Sequence, residues 1–293
     1  MTPLVDAHLH LFKPHSREYP RRVYEVMAEE SREELAPELL RVMEANGVSH
    51  AVVVPLGNGD EYLREVITAH PGRFAGVGLY DHESPQDLSV VRNRCVLGPL
   101  QGLRFYGLNG RIGDRPTDLA CWPILEFMAA KQLVLWFYGD STQITILRDV
   151  LRALPELRVV LNHLGFLPDI HAEMQFDSFR RPRFVVELPP KGLVMVEELA
   201  AEFQNVHVHF SGHYAFSQED YPFKDLIPVS RRLLDAFGPT RLLMATDWPW
   251  IREAPGYEKL LTLIDHHLPD LAPGDRANVC GGNALRLFDF SLV

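Results

Sequence analysis

The chain has 293 residues, 46% of them hydrophobic, and a formal net charge of -10. That apolar content is enough for the core of one barrel or one doubly wound sheet, so a single catalytic domain over 1–293 is expected. The negative charge argues against nucleic acid or an anionic membrane surface as partner, since neither meets a counter-field, and leaves a small molecule as the ligand.

The run Leu4 to Leu9 reads as a buried strand. Strand side chains alternate faces, so His8 and His10 point the same way, about 7 Å apart, as half of a metal or proton-transfer site. An amphipathic stretch follows from Glu34 to Asn46, stopped by Gly47. Strands are predicted at Ala51 to Pro55, Phe74 to Leu79 and Gly102 to Phe105. A helix is predicted over Leu119 to Lys131, with Leu119, Ile124, Phe127 and Met128 as its apolar stripe. Further strands are predicted at Leu133 to Phe137, Val159 to Asn162, Val206 to Phe210 and Leu242 to Thr246. Eight apolar runs alternating with helical patterns predict a (β/α)8 TIM barrel of the α/β class. Phe184 to Leu188 is a ninth candidate that leaves a doubly wound sheet open, although the glycine fingerprint of a dinucleotide fold is missing. From 167 to 192 the rhythm breaks into Pro, Phe and Arg, as expected of an insertion that is either a lid over the active face or a plain surface excursion.

In such a barrel the chemistry sits at the C-terminal ends of the strands. The first run ends in His8 and His10, the Val159 run in His163, and the last run in Asp247; Arg104 ends the short Gly102 run. The Val206 run carries His207, His209, Ser211, His213 and Tyr214. Histidines and one aspartate converging from separate strands can hold a divalent metal and keep a position open for water. A satisfied histidine cluster in the barrel mouth is the plainer alternative, as an N-cap is for Asp247 and a structural salt bridge for Arg104. Trp136, Tyr138, Tyr214, Trp248 and Trp250 would supply aromatic walls, or only core packing.

Together, Asp6-Ala7-His8-Leu9-His10, Asn162-His163-Leu164-Gly165, Phe210-Ser211-Gly212 and Thr246-Asp247-Trp248-Pro249 resemble the amidohydrolase superfamily, in its amidohydrolase-related branch of lactonases and decarboxylases. Tyr62 through His70-Pro71-Gly72-Arg73-Phe74 to Gly78, and Gly102-Leu103-Arg104-Phe105, look most like the sugar-lactonase and pyrone-dicarboxylate lactonase subgroup. Asn283 to Phe288 resembles the branch's closing helix. The resemblance implies a hydrolytic water activated by Asp247. In metal-using members the residues matching His8, His10, His163 and Asp247 bind zinc, so one divalent metal is expected here. Members of the pyrone lactonase type work without metal and use such histidines to polarise the substrate carbonyl, which leaves a metal-free route open.

On this reading the catalytic group is Asp247, His163, His209 and Arg104, and the substrate wall is Trp136, Tyr138, Ser211, His213, Tyr214 and Trp248. His209 departs from the subgroup, which often has lysine there; it would be a further ligand or the acid for the leaving group. Arg104 would hold a substrate carboxylate or an oxyanion, and Arg111, Arg180, Arg181 and Arg252 are further basic candidates around the mouth. The leading activity is opening of a lactone, either a sugar lactone or a pyrone or muconolactone-type carboxylate. The alternatives are metal-dependent nonoxidative decarboxylation of an aromatic or muconate-type acid, and a non-catalytic binding barrel.

Cys95, Cys121 and Cys280 are odd in number and widely spaced, which argues against a disulfide framework or a thiolate cluster. With no secretory pattern around Asp6 and His8 and no run near 18 apolar residues, a cytoplasmic protein without membrane contact is expected. A homo-oligomer is compatible with all of this.

Overall fold

The computed structural model describes residues 2–83, 87–97, 100–165 and 174–291. Eight strands form one parallel sheet in chain order: β1 (Leu4–Leu9), β2 (Val48–Val53), β3 (Phe74–Leu79), β4 (Leu100–Tyr106), β5 (Val134–Tyr138), β6 (Arg158–Leu161), β9 (Val206–Phe210) and β10 (Leu242–Met244). The hairpin β7 (Gln175–Phe176) and β8 (Pro182–Arg183) lies outside the sheet. The first and last strands meet through a parallel bridge between Leu9 and Trp248, where His10 N donates to the Trp248 carbonyl at 2.7 Å and Asp247 N to the His8 carbonyl at 3.0 Å. The eight predicted runs thus wrap into a (β/α)8 barrel.

Both faces of these strands are buried, so they read as continuous apolar runs rather than as alternating ones. One face fills the barrel: Val5, Ala7, Val52, Val77, Val134, Trp136 and Leu243 pack together with Leu287, Phe288 and Phe290 of the C-terminal segment. The other face, including Leu9, Leu103, Phe137, Leu161 and Val208, packs on helix residues such as Leu39, Met43, Leu125, Leu147 and Leu199. The helix expected from Glu34 runs Ala36–Ala45 with Pro37 in its first turn, and the chain leaves it through Gly47 at φ 68°. The helix expected from Leu119 runs Trp122–Ala130; Ile124 and Met128 are buried, and Phe127 is half-buried.

The ninth strand candidate is not a strand. Only Pro182–Arg183 pairs, with Gln175–Phe176, and Phe184 turns away to donate its N–H to the Ala215 carbonyl at 2.8 Å. Of the insertion expected at 167–192, residues 167–173 lie outside those described; the rest carries this hairpin. Among the described residues no helix is long and apolar enough to cross a membrane.

Candidate active site

Strict alternation along β1 would carry Asp6 to the same face as His8 and His10. The β1–β2 register shifts between Asp6 and Leu9, so Val5 and Ala7 join the interior packing while the two histidines still share a face. Asp6 instead reaches the last strand, accepting from Thr246 N at 2.9 Å and Thr246 Oγ1 at 2.5 Å. Burial pushes its carboxyl up to about 6, against the lowering effect of the Thr246 hydrogen bonds. Asp6 therefore fastens the strand that carries the histidines to the segment that carries Asp247.

His8, His10 and Asp247 offer ligand atoms that all lie within 4.8 Å of one another. Asp247 Oδ1 stands 3.7 Å from His8 Nε2 and 3.5 Å from His10 Nε2, too far for good hydrogen bonds. His10 Nδ1 lies 2.9 Å from the Val54 carbonyl, which can only accept, so Nδ1 carries a proton and Nε2 is the ring atom turned toward Asp247. Both nitrogens of His8 and Asp247 Oδ1 are buried with no hydrogen-bond partner. Two imidazole nitrogens and a carboxylate oxygen, with a carbonyl orienting one ring from behind, form a donor set that fits a divalent cation.

The other oxygen, Asp247 Oδ2, accepts from Tyr214 OH at 2.7 Å and lies 4.0 Å from His163 Nε2. His163 Nδ1 is 3.1 Å from Ser211 Oγ. Of the four expected ligands, His163 is thus the one set apart from the compact trio. Burial alone would raise the Asp247 carboxyl, but His163, His10 and the Tyr214 hydroxyl outweigh it and bring it down to about 2. Burial pushes His163 down to about 4, and His8 and His209 well below the usual histidine range. At neutral pH the Asp247 carboxylate therefore stands among neutral His8, His163 and His209.

Above this floor opens a cavity of about 380 Å³, bordered by His10, Arg104, Tyr138, His163, Tyr214, Asp247 and Trp250. The Arg104 guanidinium meets Asn162 Oδ1 at 3.1 and 3.3 Å, in the amide orientation that satisfies both groups. Among the described residues it has no carboxylate partner, although only 6% of Arg104 is exposed. The other arginines expected at the mouth have other partners or face elsewhere. Arg180 pairs with Glu29, Arg181 with Asp177, and Arg252 with Glu34 and Glu38, whereas Arg111 is exposed and does not border the cavity.

Several residues expected against the substrate do not border the cavity. Trp136 and His209 lie below it: Trp136 is edge-on to His8 and His209, with ring centroids 4.9 and 4.7 Å away, and both residues are fully buried. Ser211 acts on His163 from behind. After Gly212 the chain turns into the helix His213–Phe216, so alternation ends there; Tyr214 faces Asp247 while His213 points outward onto Phe210 and His267. Trp248 is swung away by the left-handed backbone of Asp247 (φ 63°) and packs against Tyr257. Sequence reasoning missed the lining residues Arg22, Tyr24 and Met27 from residues 12–35, Leu56 after β2, Tyr106, and Met174, Pro182, Phe184 and Phe216. Of these, Met174, Pro182 and Phe184 carried a signal, as part of the Pro-, Phe- and Arg-rich insertion at 167–192.

A family model described as amidohydrolase matches residues 5–290. The chain belongs to the amidohydrolase family. It is an amidohydrolase-type hydrolase. L-fucono-1,5-lactonase of Burkholderia ambifaria is 27% identical over 301 residues, covering 98% of this chain and 96% of the relative. A 2-pyrone-4,6-dicarboxylate hydrolase of Comamonas testosteroni is 24% identical, covering 84% and 76%. A crystal structure of an amidohydrolase from Burkholderia multivorans with bound zinc superposes with a TM-score of 0.72 at 22% identity, over 99% of this chain and all of that one.

Proposed function

We propose that the protein opens the ring of a carboxylate-bearing lactone by hydrolysis. The observation that carries this reading is Asp247, an ionised carboxylate only 3% exposed at the cavity floor, with Oδ1 unpaired and Oδ2 held by Tyr214. A general base needs that placement, within reach of a water and already deprotonated. The lactone-hydrolysing names of the Burkholderia ambifaria and Comamonas testosteroni relatives support the reaction class.

His8, His10 and Asp247 are the residues that would hold a divalent cation, and the zinc in the Burkholderia multivorans structure supports zinc. When bound, such an ion polarises the ring carbonyl and lowers the pKa of water. The chain's own groups do the rest. Asp247 takes the proton of the attacking water as its oxygen bonds to the carbonyl carbon. The ring C–O bond then breaks, and the proton passes from Asp247 to the leaving alkoxide, giving a hydroxy acid. Tyr214 keeps the carboxylate in position through Oδ2. Arg104, aligned by Asn162 and lacking a carboxylate of its own, clamps the substrate carboxylate.

The test is metal analysis of the purified protein alongside a panel of carboxylated lactones, assayed with and without chelator and repeated with Asp247→Asn. Lactone opening that falls at least ~100-fold in the folded variant is expected. Full turnover by Asp247→Asn would overturn the assignment, as would release of carbon dioxide from aromatic or muconate-type acids with no lactone opened.

A further inference from the structure

Beyond the floor the cavity changes character. Among the described residues, the lining apart from Arg22, Arg104, His10, His163, Asp247 and four tyrosines is apolar or glycine, with no Ser, Thr, Asn, Gln, Lys or Glu. The Tyr214 hydroxyl is already committed to Asp247, and Arg22 pairs with Asp81 at 3.2 Å. Met27, Leu56, Met174, Phe184 and Phe216 all line the cavity, with the Phe184 and Phe216 rings stacked at 5.6 Å between centroids. Phe216 is fully buried, whereas Met174 is 38% exposed, so the apolar lining reaches from the interior to the surface.

We infer that the substrate carries an apolar arm, aryl or short alkyl, seated on Met27, Leu56, Met174, Phe184 and Phe216, and that polyhydroxylated sugar lactones are poor substrates. The inference rests on the lactone reading above and names its substrate class. A sugar lactone has a hydroxyl on nearly every carbon, and each one facing this wall exchanges water for methylene or ring carbon without a partner. An apolar arm loses nothing there and gains by leaving water. A volume of about 380 Å³ has room for one ring and such an arm. The charged floor then orients the other end, with the carboxylate on Arg104 and the ring carbonyl toward Asp247.

Binding tests this without turnover. Calorimetry with 2-(1-hydroxyalkyl)succinates of increasing chain length, the ring-opened forms of alkyl-bearing lactone carboxylates, is compared with a polyhydroxylated six-carbon diacid. Affinity is expected to rise about fourfold per added methylene over the first few, following ~0.8 kcal/mol per buried methylene. The polyhydroxylated acid should bind at least tenfold more weakly than the alkyl acid of equal length. Phe184→Ser should flatten the chain-length dependence, and Met174→Ser at the exposed end provides a second variant should the first fold poorly. A flat chain-length dependence in the unmodified protein, or tighter binding of the polyhydroxylated acid, overturns the inference. If affinity climbs with chain length but no lactone is ever opened, it is the reaction assignment that fails and the apolar subsite that stands.

Discussion

A missing side chain at position 212 lets His163 stand beside Asp247. Gly212 has φ 76°, and a Cβ there would lie 2.8 Å from His163 Cβ and 2.9 Å from its Nδ1. His163 (φ 45°) and Asp247 (φ 63°) themselves occupy the left-handed region, which costs a non-glycine residue on the order of 1–3 kcal/mol and persists only where neighbours over-determine it. Here the neighbours are identifiable: Asp247 N is tied to the His8 carbonyl and His163 Nδ1 to Ser211. Both functional side chains are therefore aimed by backbone that a relaxed chain would not choose. Gly212→Ala is expected to destabilise the protein by about 1–3 kcal/mol and to lower kcat/KM at least tenfold, because the new methyl displaces the His163 ring. Urea unfolding and steady-state kinetics read the two effects separately. Unaltered kinetics in a folded variant would show that the His163 position is not critical.

Between β1 and the helix Ala36–Ala45 the chain makes a long excursion that supplies Arg22, Tyr24 and Met27 to the cavity. It has little regular structure, so its backbone needs another partner. Arg21 supplies it: its guanidinium donates to the carbonyls of Lys13, Arg22, Ala28, Glu29, Glu30 and Arg32. The hairpin β7–β8 approaches from the other side, and Arg180 meets Glu29 at 3.4 Å. That exposed pair contributes little, whereas the near-buried Arg21 organises the whole segment. Arg21→Ala is expected to weaken the excursion locally by about 2–3 kcal/mol, the scale of hydrogen bonds to a charged donor, while the barrel stays folded. Limited proteolysis should then cut within 13–32, and KM should rise more than kcat falls. Protease resistance equal to that of the parent protein would count against this role.

At the scale of the whole molecule, buried histidines govern the response to acid. His8, His209 and His213 are held well below the usual histidine range by burial, and His163 and His207 are pushed down to about 4. An unfolded chain takes up these protons near pH 6.5, whereas the folded one takes up those of His163 and His207 only at about pH 4 and holds off those of His8, His209 and His213 well below the usual histidine range. Between those values the unfolded state binds more protons, so stability falls as the pH drops from about 6.5 toward 4. Asp6, raised to about 6, works the other way, since its folded form binds a proton that the unfolded form has lost above about 3.8. Burial raises Glu34 as well and lowers His267, so two carboxyls oppose six imidazoles and the net slope follows the histidines. Urea midpoints should fall steadily from pH 7 to 4.5, and His207→Gln should remove about one proton from that slope. A midpoint independent of pH over this range would contradict the buried neutral histidines.

The barrel was legible in the sequence because strands covered on both faces must be nearly all apolar, and eight such runs leave few alternatives. His8, His10, His163 and Asp247 were legible for a related reason: a polar residue closing an apolar parallel strand has the barrel mouth as its natural place. The role of Asp6 was not legible, because its partner Thr246 lies 240 residues away and meets it only when the first and last strands close the barrel. What tertiary structure alone decided is the rest of the cavity. Tyr24, Met27, Met174 and Phe216 lie in irregular segments or short turns with no period to read, and their places depend on distant contacts such as Arg21 to six carbonyls. Which of the mouth arginines borders the cavity with no carboxylate partner among the described residues was equally hidden, because ion pairing joins residues far apart in the chain. Arg252 to Glu34 spans 218 positions, and only folding leaves Arg104 to face the cavity.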